Sequence, residues 1–73
     1  MDEQRLTPSE QLLKFFAWEH LGEDLAPISR ACSYLAHEMQ ESLPDGPEKT
    51  AGLRKLLEAK DCFVRSRLSS RPS

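Results

Sequence analysis

Leu43-Pro44-Asp45-Gly46-Pro47-Glu48-Lys49-Thr50, running on through Gly52-Leu53-Arg54-Lys55-Leu56-Leu57-Glu58-Ala59-Lys60-Asp61-Cys62-Phe63-Val64-Arg65, is the stretch on which the fold turns. Asp45 can cap the amides that follow it, and Glu48 stands three residues on. Pro47 suits the first helical turn, where its missing N–H has no partner in any case. A helix is therefore expected over about 47–68, roughly 33 Å at 1.5 Å per residue. It carries two apolar stripes. One is Leu53, Leu57 and Val64, interrupted in phase by Lys60; the other is Leu56, Ala59 and Phe63. One stripe can face a second helix, which leaves the other for the first helix or for another chain.

Upstream, Thr7-Pro8-Ser9-Glu10 reads as a capping box, with Thr7 as N-cap, Pro8 at the first helical position and Glu10 reaching back. This predicts a first helix over about 8–20 with Leu12, Leu13, Phe16 and Ala17 inward, stopped near Gly22. Pro27 marks a second start. There Ile28, Cys32, Leu35, Met39 and Ser42 are spaced by four, three, four and three, a two-heptad seam over about 27–43. The fold class expected is all-α: a short N-terminal helix followed by an antiparallel helical hairpin, in an oligomeric bundle. Residues 1–73 are expected to form one helical domain with a disordered tail at 69–73.

Size makes assembly attractive. A chain of 73 residues buries only about 60% of its unfolded surface, and such a core supplies about 3–5 kcal/mol. A homo-oligomer is expected.

Charge is distributed unevenly. Residues 1–44 hold three cations and eight acids, whereas residues 45–73 hold seven cations and four acids, so a net charge of −2 hides a positive C-terminal third. That balance is too weak for a general nucleic-acid binder, which shows a basic patch on a strongly basic domain. Glu58 and Asp61 on the third helix speak further against DNA. The balance suits a small, localised anion, or simple pairing with the acidic helices of the same chain. No apolar run approaches the length of about 20 residues that spans a bilayer, and the start Met1-Asp2-Glu3-Gln4-Arg5 has no signal-peptide pattern. No membrane partner is expected, and the chain is placed in the cytoplasm.

Catalytic and metal chemistry have little to rest on. His20 and His37 lie on different predicted helices without ligand or acid–base spacing, and Cys32 and Cys62 stand too far apart for a metal or redox motif. There is no glycine-rich phosphate loop and no nucleophile elbow. We expect no enzyme activity, no catalytic residues, no metal and no cofactor. Lys60 must snorkel, pair with a facing carboxylate or enter a polar cavity.

The string Leu-Pro-Asp-Gly-x-Glu-Lys-Thr with x-x-Leu-x-Lys-Leu-x-Glu-Ala behind it, here Leu43–Thr50 and Leu53–Ala59, resembles the helical hairpin of phage anti-CBASS and anti-Thoeris nucleotide sponges. The resemblance covers about Ile28–Leu68. Pro47 stands where the family usually has arginine, and Cys62 and Val64 where Trp and Asn are frequent; a late arginine is kept as Arg65. The resemblance implies a phage anti-defence protein working in the infected bacterial cell, a homo-oligomer that sequesters a cyclic di- or trinucleotide, or a related nucleotide signal, without cleaving it. Taken with the charge pattern, it implies Lys49, Thr50, Arg54, Lys55 and Arg65 as phosphate contacts, with Tyr34 or Trp18 stacking on a base. The alternative is a small helical protein-interaction module, or phage-encoded regulator, acting through its spare apolar stripe.

Overall fold

A computed structural model of the chain describes residues 6–69, and these are helical with no strand among them. Helix α1 spans Pro8–Leu13 and runs into a single 3-10 turn over Lys14–Phe16; α2 spans Ala26–Ser42 and α3 spans Pro47–Ser69. The capping box forms at α1. Thr7 Oγ1 accepts from the Glu10 amide at 3.2 Å, and Glu10 Oε1 accepts from the Thr7 amide at 2.9 Å.

The first helix stops sooner than its pattern suggests. Instead of continuing to about residue 20, the chain tightens at Lys14 and turns extended at Ala17 (φ −61°, ψ 140°). Two interactions favour this ending. Phe16 is fully buried, and the freed carbonyl of Phe15 is capped by Lys60 Nζ from α3 at 2.8 Å. Ala17, expected inward, is exposed as a consequence. Gly22, expected to end the first helix, serves the start of the second, its carbonyl accepting from the amides of Leu25 (3.1 Å) and Ala26 (2.8 Å).

The core is small: Phe16, Cys32, Ala36 and Leu53, with Leu12, Leu13, Met39, Leu56 and Leu57 packed against it. The buried positions of α2 are Ser29, Cys32, Ser33 and Ala36, so the expected seam of Ile28, Cys32, Leu35, Met39 and Ser42 is rotated. Small side chains on that face let α2 approach Phe16 and Leu53 closely, which turns Leu35 outward to 46% exposure and leaves Ser42 exposed. Along its shortest axis the fold measures 16 Å, little more than one helix diameter of about 10–12 Å. One layer of packing cannot cover both stripes of α3. Leu53 is buried, Leu56 and Leu57 are half-buried, and Phe63 is 55% exposed.

At the far end α3 includes Ser69, whose Oγ donates to the Arg65 carbonyl at 2.9 Å. The tail expected from residue 69 thus begins in helix at its first position, and the rest of it, 70–73, lies outside the described residues.

Candidate functional site

Helix α3 passes the 3-10 turn, the link after it and the first turns of α2, and a cleft of about 420 Å³ opens between them. Lys14, His20, Lys60 and Arg65 line it against one carboxylate, Asp61; Phe15, Leu21 and Val64 give it an apolar wall, and Ser29 closes it from α2. Lys60 resolves its out-of-pattern position by capping rather than by pairing with a facing helix. Its side chain is 13% exposed, its ammonium donates to Phe15 O, and it stands 3.6 Å from Asp61 and 5.9 Å from the Phe16 ring centroid. A cation at the end of a helical turn is favoured by the free carbonyls there. The same ammonium acts on Cys32. Burial pushes that thiol above its ordinary value of 9.0, and the nearby Lys60 charge opposes the shift without cancelling it.

Arg65 is the one member of the expected phosphate set in this cleft. Its guanidinium touches Cys62 Sγ at 3.3 Å, a weak neutral contact that leaves most of its donors unused. Lys14 and His20 are not identifiable as cleft residues from the sequence, whereas for Lys60 a polar cavity is one of the expected alternatives. They come from separate segments with no shared motif, and the early stop of α1 is what aims Lys14 and His20 toward α3.

Lys49 lies elsewhere and is already engaged. It is buried to 7% exposure, and Nζ donates to Gln40 O (3.2 Å), Leu43 O (3.1 Å) and Asp45 Oδ1 (2.7 Å). The ammonium thus holds the end of α2 to the start of α3. Asp45, expected as an amide cap, gives its carboxylate to this contact. Thr50 and Arg54 line a second cleft of about 330 Å³ with Thr7, Ser9, Asp45 and Gly46, where the starts of α1 and α3 meet. Lys55 is exposed on α3 and lines neither.

Trp18 and Tyr34 are brought together, away from these cations. They share a shallow groove with Glu19, His37, Glu38 and Glu41, and Arg30 covers the Trp18 ring at 5.4 Å. Carboxylates around this aromatic pair disfavour a phosphate there, and neither ring lines the cleft of Arg65 or that of Arg54. A fourth depression, about 240 Å³, is almost wholly apolar and lies between α2 and α3, lined by Leu35, Met39, Leu43, Gly52, Leu53 and Leu56.

Among the described residues no group of three or more His, Cys, Asp and Glu side chains could hold a metal ion, and no helix is long and apolar enough to cross a membrane. Comparison with protein-family models, with curated proteins and with solved structures finds no match.

Proposed function

We propose that this chain is an oligomeric anti-defence sponge of a phage, which binds a cyclic nucleotide messenger in the infected bacterial cytoplasm and holds it uncleaved. The observation that carries the reading is the cleft beside α3, where three cations and a histidine face a single carboxylate that is itself engaged by Lys60. Its volume falls within the range of about 300–1,000 Å³ usual for small-molecule sites, and its apolar wall suits the flat face of a base. The resemblance of Leu43–Ala59 to the sponge hairpin adds to this, with α2 and α3 as the antiparallel pair. Oligomerisation is drawn from the thin core and the apolar groove between those helices, on which a second copy would bury Leu35, Leu43 and Leu56.

The test is native mass spectrometry of the protein against a panel of cyclic di- and trinucleotides, followed by heat release. The reading expects depletion of one panel member, its recovery chemically intact, and a protein mass of at least two chains. Recovery of a linearised product would reveal an enzyme.

The apolar groove also favours a second reading, a protein-interaction module whose groove takes a partner helix. Failure of every nucleotide to bind, together with a monomer in light scattering, would select it.

A further inference from the structure

Three of the large apolar side chains left in solvent lie on one side of the hairpin. Leu35 and Leu43 of α2, 46% and 45% exposed, line the apolar depression beside α3, and Phe63 stands 55% exposed further along α3 itself. On that side α3 presents Gly52, Leu56, Ala59 and Phe63, none of them fully buried. Spaced by four, three and four, these positions fall within about 60° of one another around a helix of 3.6 residues per turn. Along this line small and large side chains alternate.

The depression has its floor at Gly52. A Cβ there meets nothing within 4 Å, so no neighbouring element of the same chain fills the space. Glycine weakens a helix interior, and nothing within one chain requires it at this position.

The order of small and large is self-complementary in one direction only. When two copies of α3 run antiparallel about a two-fold axis between Leu57 and Glu58, Gly52 of each copy faces Phe63 of the other and Leu56 faces Ala59, so every large side chain meets a small one. In a parallel pair Phe63 meets Phe63 and Gly52 meets Gly52, which crowds one layer and leaves a void in another, against close packing. Charge agrees with the antiparallel order. At the flanks Lys55 comes beside Cys62 of the other copy and Lys60 beside its Leu53, and no like charges oppose one another.

We propose that the chain forms a two-fold dimer in which α3 packs antiparallel on α3 of a second copy, with Phe63 of each seated on Gly52 of the other in the depression walled by Leu35, Met39 and Leu43. This names the surface and register of the oligomer in the proposed function and rests on that part of it alone. Asp61 and Arg65 lie roughly opposite the seam around α3, so the cation-lined cleft stays open in both copies.

Sedimentation equilibrium of the full chain is expected to give a reversible dimer, and Phe63→Ala to weaken it at least tenfold. Gly52→Leu fills the seat while favouring helix. It is expected to weaken association at least tenfold and to leave the urea midpoint unchanged or raised at a concentration where the parent is monomeric, which separates a blocked seam from a chain that fails to fold. Direction is read with a short bismaleimide, to which exposed Cys62 is open and buried Cys32 is not. A chain carrying Lys55→Cys and Cys62→Ser is expected to cross-link to the parent, and neither protein to itself, because like positions in the antiparallel pair are offset by seven residues, about 10 Å. Cross-linking of each protein to itself but not to the other would show a parallel pair and overturn the register. A monomeric parent, or a dimer indifferent to both Phe63→Ala and Gly52→Leu, overturns the seam and leaves the groove to a helix of another protein. Nucleotide binding is read separately on the cyclic nucleotide panel: a dimer that binds no member keeps the seam and removes the sponge, and a monomer that binds one keeps sequestration and removes the seam.

Discussion

Replacing Lys49 by alanine separates two roles that a lysine at the start of a helix can play. In the structure its side chain is 4% exposed, and its ammonium makes three contacts, two to carbonyls at the end of α2 and one to Asp45. A hydrogen bond from a charged donor contributes about 1.5–3 kcal/mol. The Asp45 carboxylate is 68% exposed, so the ion pair itself adds less than about 1 kcal/mol. The carbonyls of Gln40 and Leu43 regain some water once the side chain is truncated, which brings the expected cost of Lys49→Ala to about 2–4 kcal/mol. Set against a core worth about 3–5 kcal/mol, this leaves the variant a central margin of only about 1 kcal/mol at 25 °C, so that a measurable fraction of it is unfolded without denaturant. Asp45→Ala, which removes only the solvated partner, is expected to cost less than about 1 kcal/mol. Urea unfolding followed by far-ultraviolet circular dichroism, at one fixed protein concentration because association adds to stability, gives both values. A Lys49→Ala protein as stable as the parent, but with nucleotide binding abolished, would refute the turn-holding role and return Lys49 to the ligand site.

Gly52 lies in the interior of α3 on the apolar groove, and a Cβ there meets nothing within 4 Å; Gly52→Ala should therefore stabilise an isolated chain by about 0.5–1 kcal/mol, whereas loss of mass in light scattering would show a second backbone packed against it. Thr7→Ala breaks the capping box and is expected to lower stability by about 0.5–2 kcal/mol in the same urea assay. Because burial holds the Cys32 thiol above 9.0, its contribution is complete below pH 9 and is lost as pH rises through the higher native value; the fall in stability above pH 9 should be shallower in Cys32→Ala. Iodoacetamide should label exposed Cys62 in the native protein and buried Cys32 only on unfolding, as read by mass spectrometry. Leu56→Glu should reduce an oligomer to monomers, since a carboxylate buried without a partner costs several kcal/mol.

The sequence was most informative where local chemistry decides the outcome. Thr7, Pro8 and Glu10 specify a helix start through bonds that span three residues, and Pro47 after Asp45 and Gly46 specifies another. The end of α1 was not legible, because nothing between Leu13 and His20 breaks a helix. The 3-10 turn is favoured by Lys60, 45 residues away, capping Phe15, and by the burial of Phe16. The rotation of α2 has a similar origin. Its heptad pattern is real, yet Ser29, Ser33 and Ala36 bury more completely than Ile28, Leu35 and Ser42. The close approach of Phe16 and Leu53 rewards small side chains over apolar ones.

The same non-local effects redistribute the cations. By charge and by the resemblance to the sponge hairpin, Lys49, Arg54, Lys55 and Arg65 are expected as equivalent phosphate contacts along α3. Their fates diverge according to which carbonyls lie unpaired nearby. Lys49 meets the end of α2, and Lys60 meets the end of the 3-10 turn; both ammonium groups are consumed by backbone acceptors that helix endings leave free. Lysines in register with a neighbouring helix end are thus drawn into the scaffold, whereas Lys14 has no partner among the described residues and Arg65 only the Cys62 sulfur. Lys49 and Lys60 shape the turn and the cleft wall, and the charge left over at the rim is what an anion can use.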